Sequence, residues 1–299
     1  MLLKILGAAA GGGLPQWNCS CINCQAVRQN RVGVSWLNQS SIAVQAPEGD
    51  WFLVNASPDI RQQLELLRDA QPLSIRANPI AGVILTDAEI DHTTGLIILR
   101  ESAQPLHIYG TEIVKKALTD GFPLLKTLES YCGVAWSNLN VGATVPLTAN
   151  LDIEVFALAA KAPKYMRSQN IAGDWVIGLT LCDRTTGKVV TYAPGLAELS
   201  DRLLARFEAS DCILVDGTFW QNDDLLKLGI STRTARDMGH LPLSGEDGSL
   251  HHLAQLKRPR KILVHINNTN PIHLANSQER EIVEAAGIEV GCDGLTIQL

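Results

Sequence analysis

The chain reads as short apolar runs separated by turn residues. Ten runs rich in Val, Ile, Leu and Thr have the length of strands: Leu2–Leu6, Ser41–Gln45, Trp51–Val54, Gly82–Leu85, Leu106–Tyr109, Ile153–Ala157, Trp175–Cys182, Lys188–Tyr192, Cys212–Val215 and Ile262–His265. Many end at Gly, Asp or Asn, where a strand gives way to a turn. Between them, apolar spacings of three and four residues predict helices. Ile60–Arg68 follows the start signal Ser57-Pro58-Asp59, and Ser277–Ala286 stops before Gly287. Thr93–Arg100, Thr111–Leu118, Ser200–Ala209 and Leu250–Leu256 also keep helical spacing. No long linker, repeat or low-complexity stretch interrupts the pattern, so a single domain over residues 1–299 is expected. Strands alternating with helices imply a sheet core covered by helices. The pattern alone does not separate a two-sheet sandwich from an open doubly wound sheet.

Composition narrows the class. With 299 residues and 46% hydrophobic content the chain can bury a sizeable core. The net charge is −6 and no cluster of Lys and Arg stands out, which argues against a nucleic-acid partner. No apolar stretch approaches the roughly 18 residues that span a bilayer. The opening MLLKILGAAAGGGLP reads as a buried strand rather than a signal peptide, because Lys4 interrupts the apolar run and a Gly-rich turn follows. A soluble, cytoplasmic protein without a membrane partner is expected; a homodimer is left open.

Two constellations carry chemistry. Three of the seven cysteines crowd into Cys19-Ser-Cys21-Ile-Asn-Cys24, and three thiolates this close suit one structural Zn2+ better than a disulfide framework. The fourth ligand is open: Asn268, His273 or water. A Cys21–Cys24 redox pair ranks lower, because the sequence shows no helix start at the motif. Cys132, Cys182, Cys212 and Cys292 read as buried thiols. The second constellation is Asp87-Ala-Glu89-Ile-Asp91-His92, four metal-capable side chains just past the carboxyl end of a strand, where α/β sheets build sites. The competing reading makes Asp87 or Asp91 a helix cap and Glu89 a solvated charge. His251 and His252 begin a helical pattern and read as solvated; His107 reads as structural.

The second constellation resembles the HxHxDH motif of the metallo-β-lactamase superfamily, with Asp87 and Glu89 in place of its first two histidines and Asp91-His92 matching its Asp-His pair. Gly11-Gly12-Gly13-Leu14-Pro15-Gln16-Trp17, Asp216-Gly217-Thr218-Phe219, Met238-Gly239-His240 and Val264-His265-Ile266-Asn267-Asn268 resemble further landmarks, from residue 7 to about 272. The set DHTTGLIILRE, DGTFW, RDMGHLP and HINNTNP is similar to the coenzyme PQQ synthesis protein B family. This resemblance implies an α/β metallo-β-lactamase-type αββα sandwich with two mixed sheets. It also implies a role in making pyrroloquinoline quinone from a ribosomal peptide.

Carried over by position, the resemblance implies a metal site of Asp91, His92, Asp216 and His265, with Glu89 ligating directly or through water. The other superfamily site has lost its imidazoles to Asp87 and Glu89, and no histidine stands near Ala162-Pro163-Lys164. Two histidines plus carboxylates with open positions suit an oxygen-activating iron; a zinc hydrolase wants water between two metals or on a three-ligand zinc. The expectation is therefore a mononuclear Fe2+-dependent oxygenase, with Zn2+ and Mn2+ ranked behind iron. Its partners would be O2 and a peptide-derived precursor with a tyrosine ring. His240, Glu89 and Asp87 are the candidates for acid, base or positioning roles. Arg233, Arg236, Lys164 and Arg167 are candidates to grip substrate carboxylates. Two alternatives remain: a carrier for the cofactor or its precursor, and a zinc- or manganese-dependent hydrolase of the phosphodiesterase-like branch.

Overall fold

The computed structural model describes residues 1–67, 75, 78–159 and 161–299. Its strands form two seven-stranded sheets. The first is built from β1 (Leu2–Gly7), β2 (Ser41–Gln45), β3 (Trp51–Val54), β4 (Gly82–Ile84), β5 (Leu106–Gly110) and β6 (Val134–Asn138). The second holds β7 (Thr144–Pro146), β8 (Leu151–Leu158), β9 (Val176–Asp183), β10 (Val189–Ala193), β11 (Cys212–Asp216), β12 (Arg260–Val264) and β13 (Glu289–Val290). The final strand β14 (Thr296–Gln298) returns to the first sheet beside β1, giving the order β14-β1-β2-β3-β4-β5-β6 against β13-β12-β11-β10-β9-β8-β7. Both sheets are mixed: β3 to β6 run parallel, as do β10 to β13, and antiparallel pairs complete each sheet. The alternation left open by the sequence therefore resolves to an αββα sandwich.

Strand geometry explains why the runs look apolar throughout. Successive side chains point to opposite faces. Ile42, Val44, Val54, Ile84, Leu179, Leu214 and Val264 fill the layer between the sheets. Their neighbours Leu53, Val83, Ile213, Val215 and Leu263 face outward, under helices that bury Ile60, Leu96, Phe207, Leu253 and Val283. Both faces are covered, so the central strands carry no polar alternation.

Two helical expectations change. After the Asp-His pair the chain makes one α-turn, Ile90–Thr93, and then a 3-10 stretch, Thr94–Glu101, rather than an α-helix over Thr93–Arg100. The turn is clamped to the loop after β3: Ala56 N donates to His92 O (2.7 Å) and Gly95 N to Ala56 O (2.9 Å). A Cβ on Gly95 would lie 2.1 Å from Ser57 O, so only glycine permits this approach. The helix expected over Ile60–Arg68 spans Ile60–Leu64, and Arg68 lies outside the described residues. Cys292 is exposed on the turn before β14, correcting its expected burial; Cys212 is buried, and Cys132 and Cys182 are half-buried. Among the described residues no helix is long and apolar enough to cross a membrane.

Candidate metal centre

Parallel strands deliver the site. β4 leads to Asp87, β11 ends at Asp216, and the residue after β12 is His265. These carboxyl ends meet over a cavity of about 230 Å³ lined by Asp87, Glu89, Asp91, His92, His240 and His265, with Val176, Phe219 and Met238 as apolar wall. His265 has φ 55°, a left-handed conformation unusual for a non-glycine residue. It turns the chain sharply, so that Ile266 N donates to Ala8 O (2.9 Å) and Ala10 N to Ile266 O (2.9 Å).

Asp91, His92 and His265 bring their ligand atoms together within 4.8 Å. Asp91 Oδ2 lies 3.7 Å from His92 Nε2 and 4.0 Å from His265 Nε2. Each imidazole is anchored through its other nitrogen. His92 Nδ1 donates to the Asp87 carboxylate at 2.7 and 2.9 Å, and Thr86 Oγ1 donates to the same group at 2.8 Å. His265 Nδ1 donates to Thr218 Oγ1 at 2.8 Å, which passes its own proton to Asp216 Oδ1 at 2.5 Å. These bonds select the tautomers that leave Nε2 bare, as metal-ligating histidines require. His92 Nε2 is buried and has no hydrogen-bond partner, an uncompensated polar atom beside Asp91 and His265.

Asp216, His240 and His265 form a second close group. Asp216 is fully engaged: Oδ2 accepts from His240 Nδ1 (2.6 Å) and Leu196 N (2.8 Å), and Oδ1 from Thr218 N (2.9 Å) and Thr218 Oγ1. In this arrangement it anchors His240 rather than presenting a bare oxygen. The His240 ring stacks on His265 with centroids 5.3 Å apart. Because both groups share His265, they make one centre rather than two separate ones.

Electrostatics favour a cation here. Burial disfavours charge on His92, but Asp87, Asp91 and Glu89 outweigh it and push the imidazole up to about 10. With no ion bound Nε2 carries that proton, and a dication held by the same carboxylates would take its place. Burial, then Asp87 and Asp91, push Glu89 up to about 7. Burial and the neighbouring His92 and His240 depress His265 to about 4, which keeps it neutral and able to ligate.

The remaining expected residues divide. Glu89 lines the cavity but belongs to neither ligand group. Arg167 lines the cavity, and Arg233 borders the adjoining depression. Lys164 and Arg236 do not line the cavity. Lys164 is exposed at the start of a 3-10 turn, Lys164–Gln169, which turns Arg167 inward instead; Arg236 reaches Asp247 O in a separate depression. Lys161, Thr218 and Gly11 emerge only from the structure. Thr218 was visible as the residue two after Asp216, but nothing in the sequence shows that its hydroxyl meets His265. His107 bonds Ser137 Oγ (2.9 Å), and His251 is exposed. A cavity of about 270 Å³ between β8 and the 201–209 helix holds no metal-capable group, and its Arg206 is paired with Glu154.

At the cysteine motif the three thiols also gather within 4.8 Å. Asn268 reaches them, its Nδ2 lying 3.2 Å from Cys24 Sγ and 3.7 Å from Cys21 Sγ. His273 does not: its Nε2 is taken up by Asn267 O at 3.0 Å. The segment also holds a helix, Ile22–Arg28, capped by Cys21, so a CxxC does sit at a helix start here. The sequence concealed it because Cys21 makes no side-chain cap bond. The third thiol, Cys19, still distinguishes this cluster from a simple redox pair. Burial pushes the Cys21 thiol up to about 12.

The β-lactamase superfamily domain matches residues 50–266. The chain is 46% identical, over the full length of both, to coenzyme PQQ synthesis protein B of Methylococcus capsulatus. It superposes on the zinc-bound PqqB of Methylobacterium extorquens with a TM-score of 0.92 and 36% identity, each chain fully covered. A diphosphatase of the PhnP family shares the fold, with a TM-score of 0.70 at 18% identity, covering 100% of this chain and 97% of that one.

Proposed function

The chain belongs to the coenzyme PQQ synthesis protein B family, and within pyrroloquinoline quinone biosynthesis we propose that it is a mononuclear Fe(II)- and O2-dependent hydroxylase acting on a tyrosine-derived ring of the peptide-derived precursor. One observation carries this reading: the convergence of Asp91, His92 and His265 with both imidazoles presenting bare Nε2 atoms. Two histidines and one carboxylate with other positions open is the donor set of non-haem ferrous oxygenases. The buried, unpartnered His92 Nε2 supports a metal ion at this position. When bound, the iron would supply O2 activation. Turning a ring C–H into C–OH with O2 leaves the second oxygen atom as water, which takes two electrons and two protons from an external two-electron reductant.

The chain's own residues prepare that chemistry. Asp87 and Thr218 hold the imidazoles in register. Val176, Phe219 and Met238 offer an apolar wall for a ring. His240, with Nδ1 committed to Asp216, keeps Nε2 available as a proton donor or acceptor beside His265. Burial and the neighbouring Asp87 and Asp91 raise the Glu89 carboxyl at the cavity wall, which suits a general acid or base. The thiols of Cys19, Cys21 and Cys24 hold a structural zinc in this reading, with Asn268 as the nearest further donor.

Metal analysis with anaerobic Fe2+ titration, on the intact protein and on His92→Ala, tests the proposal. One tightly held zinc is expected in both, with a ferrous site in the intact protein alone that consumes O2 in the presence of the tyrosine-derived precursor. A zinc pair filling the Asp91–His265 region with phosphodiester hydrolysis, or no metal there at all, would pass the argument to the hydrolase or the carrier.

A further inference from the structure

The mouth of the metal cavity carries three cations with no acid paired to them. Lys161 and Arg167 line the cavity, and together with Arg233 and Asp237 they line a shallower depression beside it. Each spends a single donor on a backbone carbonyl. Lys161 Nζ donates to Asp237 O (3.2 Å), Arg167 Nε to Ala162 O (2.9 Å), and one terminal Arg233 nitrogen to Asp237 O. An ammonium has three N–H donors and a guanidinium five, so most stay free. Arg184, Arg206 and Arg260 are held by carboxylates, whereas these three, like Lys4 and Arg28 elsewhere, bond only backbone carbonyls; what sets them apart is that they gather at one opening. Asp237 feels the charge of Lys161 and Arg233, and Glu89 that of Arg167, but none of them is in ion-pair contact; Asp237 Oδ2 is committed to Thr234 N and Oγ1 in a capping box.

In a chain of net charge −6, three unpaired cations facing one opening are not general basicity. We propose that Lys161, Arg167 and Arg233 form a carboxylate subsite. The substrate's carboxylates sit at the mouth and its uncharged ring lies below, against Val176, Phe219 and Met238, over the metal ligands. The cations come from two loops, 161–167 and 233, which suits separated carboxylates better than one compact phosphate. Arginine's planar fork matches a carboxylate in bidentate fashion. The acids Asp87, Glu89 and Asp91 line the same cavity, so a polyanion is admitted at one end only and the substrate's orientation is set. The inference deepens the hydroxylase reading by naming the substrate's class, but carboxylate binding itself needs neither iron nor O2.

Calorimetric titration of the purified protein with isophthalate, with its uncharged diamide and with inorganic phosphate tests it. Isophthalate should bind, weaken as salt rises, and bind about tenfold more tightly than the diamide or phosphate. The Lys161→Met/Arg167→Met double variant and Arg233→Met should each lose about tenfold in isophthalate affinity. Lys161 and Arg167 are exposed and Arg233 is half-buried, so the fold should hold; unchanged metal content and melting temperature would verify it. Equal binding of the diamide, tighter binding of phosphate, unaltered affinity in the variants, or no isophthalate binding at millimolar concentration would each overturn the subsite. A failed oxygenase assay alongside intact isophthalate binding would sink the hydroxylase reading and leave the subsite standing.

Discussion

At the scale of single residues, the centre is defined as much by what holds the ligands as by the ligands. Asp87, which the motif resemblance sets against a metal-binding histidine, turns both its oxygens to His92 Nδ1. The substitution converts a ligand into an orienting group. Thr218 does the same for His265 with a single hydroxyl, linking that ring to the buried Asp216. Thr218→Val keeps the shape and removes the hydroxyl, leaving His265 Nδ1 unpartnered and free to adopt the wrong tautomer. Loss of such an outer-shell partner typically costs 10- to 100-fold in metal affinity, so a drop of about that size is expected. Thr218→Ser should restore most of it. Competitive chelator titration with Co2+ measures this directly; equal affinity in the valine variant would remove Thr218 from its orienting role. The ligand types were legible in the sequence because they cluster within six residues and at two strand ends. Which nitrogen each histidine presents was not, because it depends on groups 5 and 47 residues away in the chain.

At the scale of elements, legibility followed burial. The ten strands read from the sequence are all present, within two residues at most ends, because sheets covered on both faces impose continuous apolar runs. The four that escaped are β6, β7, β13 and β14. Each lies at a sheet edge, and the last three have only two or three residues, so little apolar pattern exists to read. What secures those edges is side-chain bonding that periodicity cannot show. Asp293, in the turn before β14, accepts from Ala8 N (2.9 Å) at the exit of β1 and from Asn38 N (2.7 Å) at the approach to β2. Burial pushes its carboxyl up to about 7 despite those two bonds. Its folded affinity for a proton therefore exceeds its unfolded one, roughly 3.9. The contribution to stability is complete below about pH 4 and is lost as pH rises towards 7, at no more than about 1.4 kcal/mol per unit. Urea unfolding between those limits should show the wild type losing stability relative to Asp293→Asn as pH rises. A difference independent of pH would show that Asp293 does not titrate in this window.

At the scale of the whole molecule, one segment ties the two candidate metal sites together. His265 belongs to the candidate metal centre, Asn267 lines its cavity, and Asn268 touches Cys24 and Cys21. Only two residues thus separate a ligand of one site from a donor at the other. The connection is stiff on both sides. Asn23, inside the cysteine helix, donates to the carbonyls of Asn268 (2.9 Å) and Asn270 (2.8 Å), while Asn270 Nδ2 donates to Gly217 O (2.9 Å) and Asn267 N to Thr218 O (3.1 Å). Loss of the Cys24 thiol frees the Asn268 side chain, and the strain this puts on the 265–268 segment is expected to reach His265, whose left-handed conformation depends on it. Cys24→Ala, although remote in sequence from Asp91, His92 and His265, should therefore weaken Co2+ binding at those three residues. A several-fold loss is expected, smaller than for Thr218→Val because no ligand loses its direct partner. The visible spectrum of bound Co2+ separates this from general unfolding: a shifted but retained band indicates a displaced ligand, whereas an unchanged band and affinity would mean that the cysteine site stabilises its own lobe and nothing more.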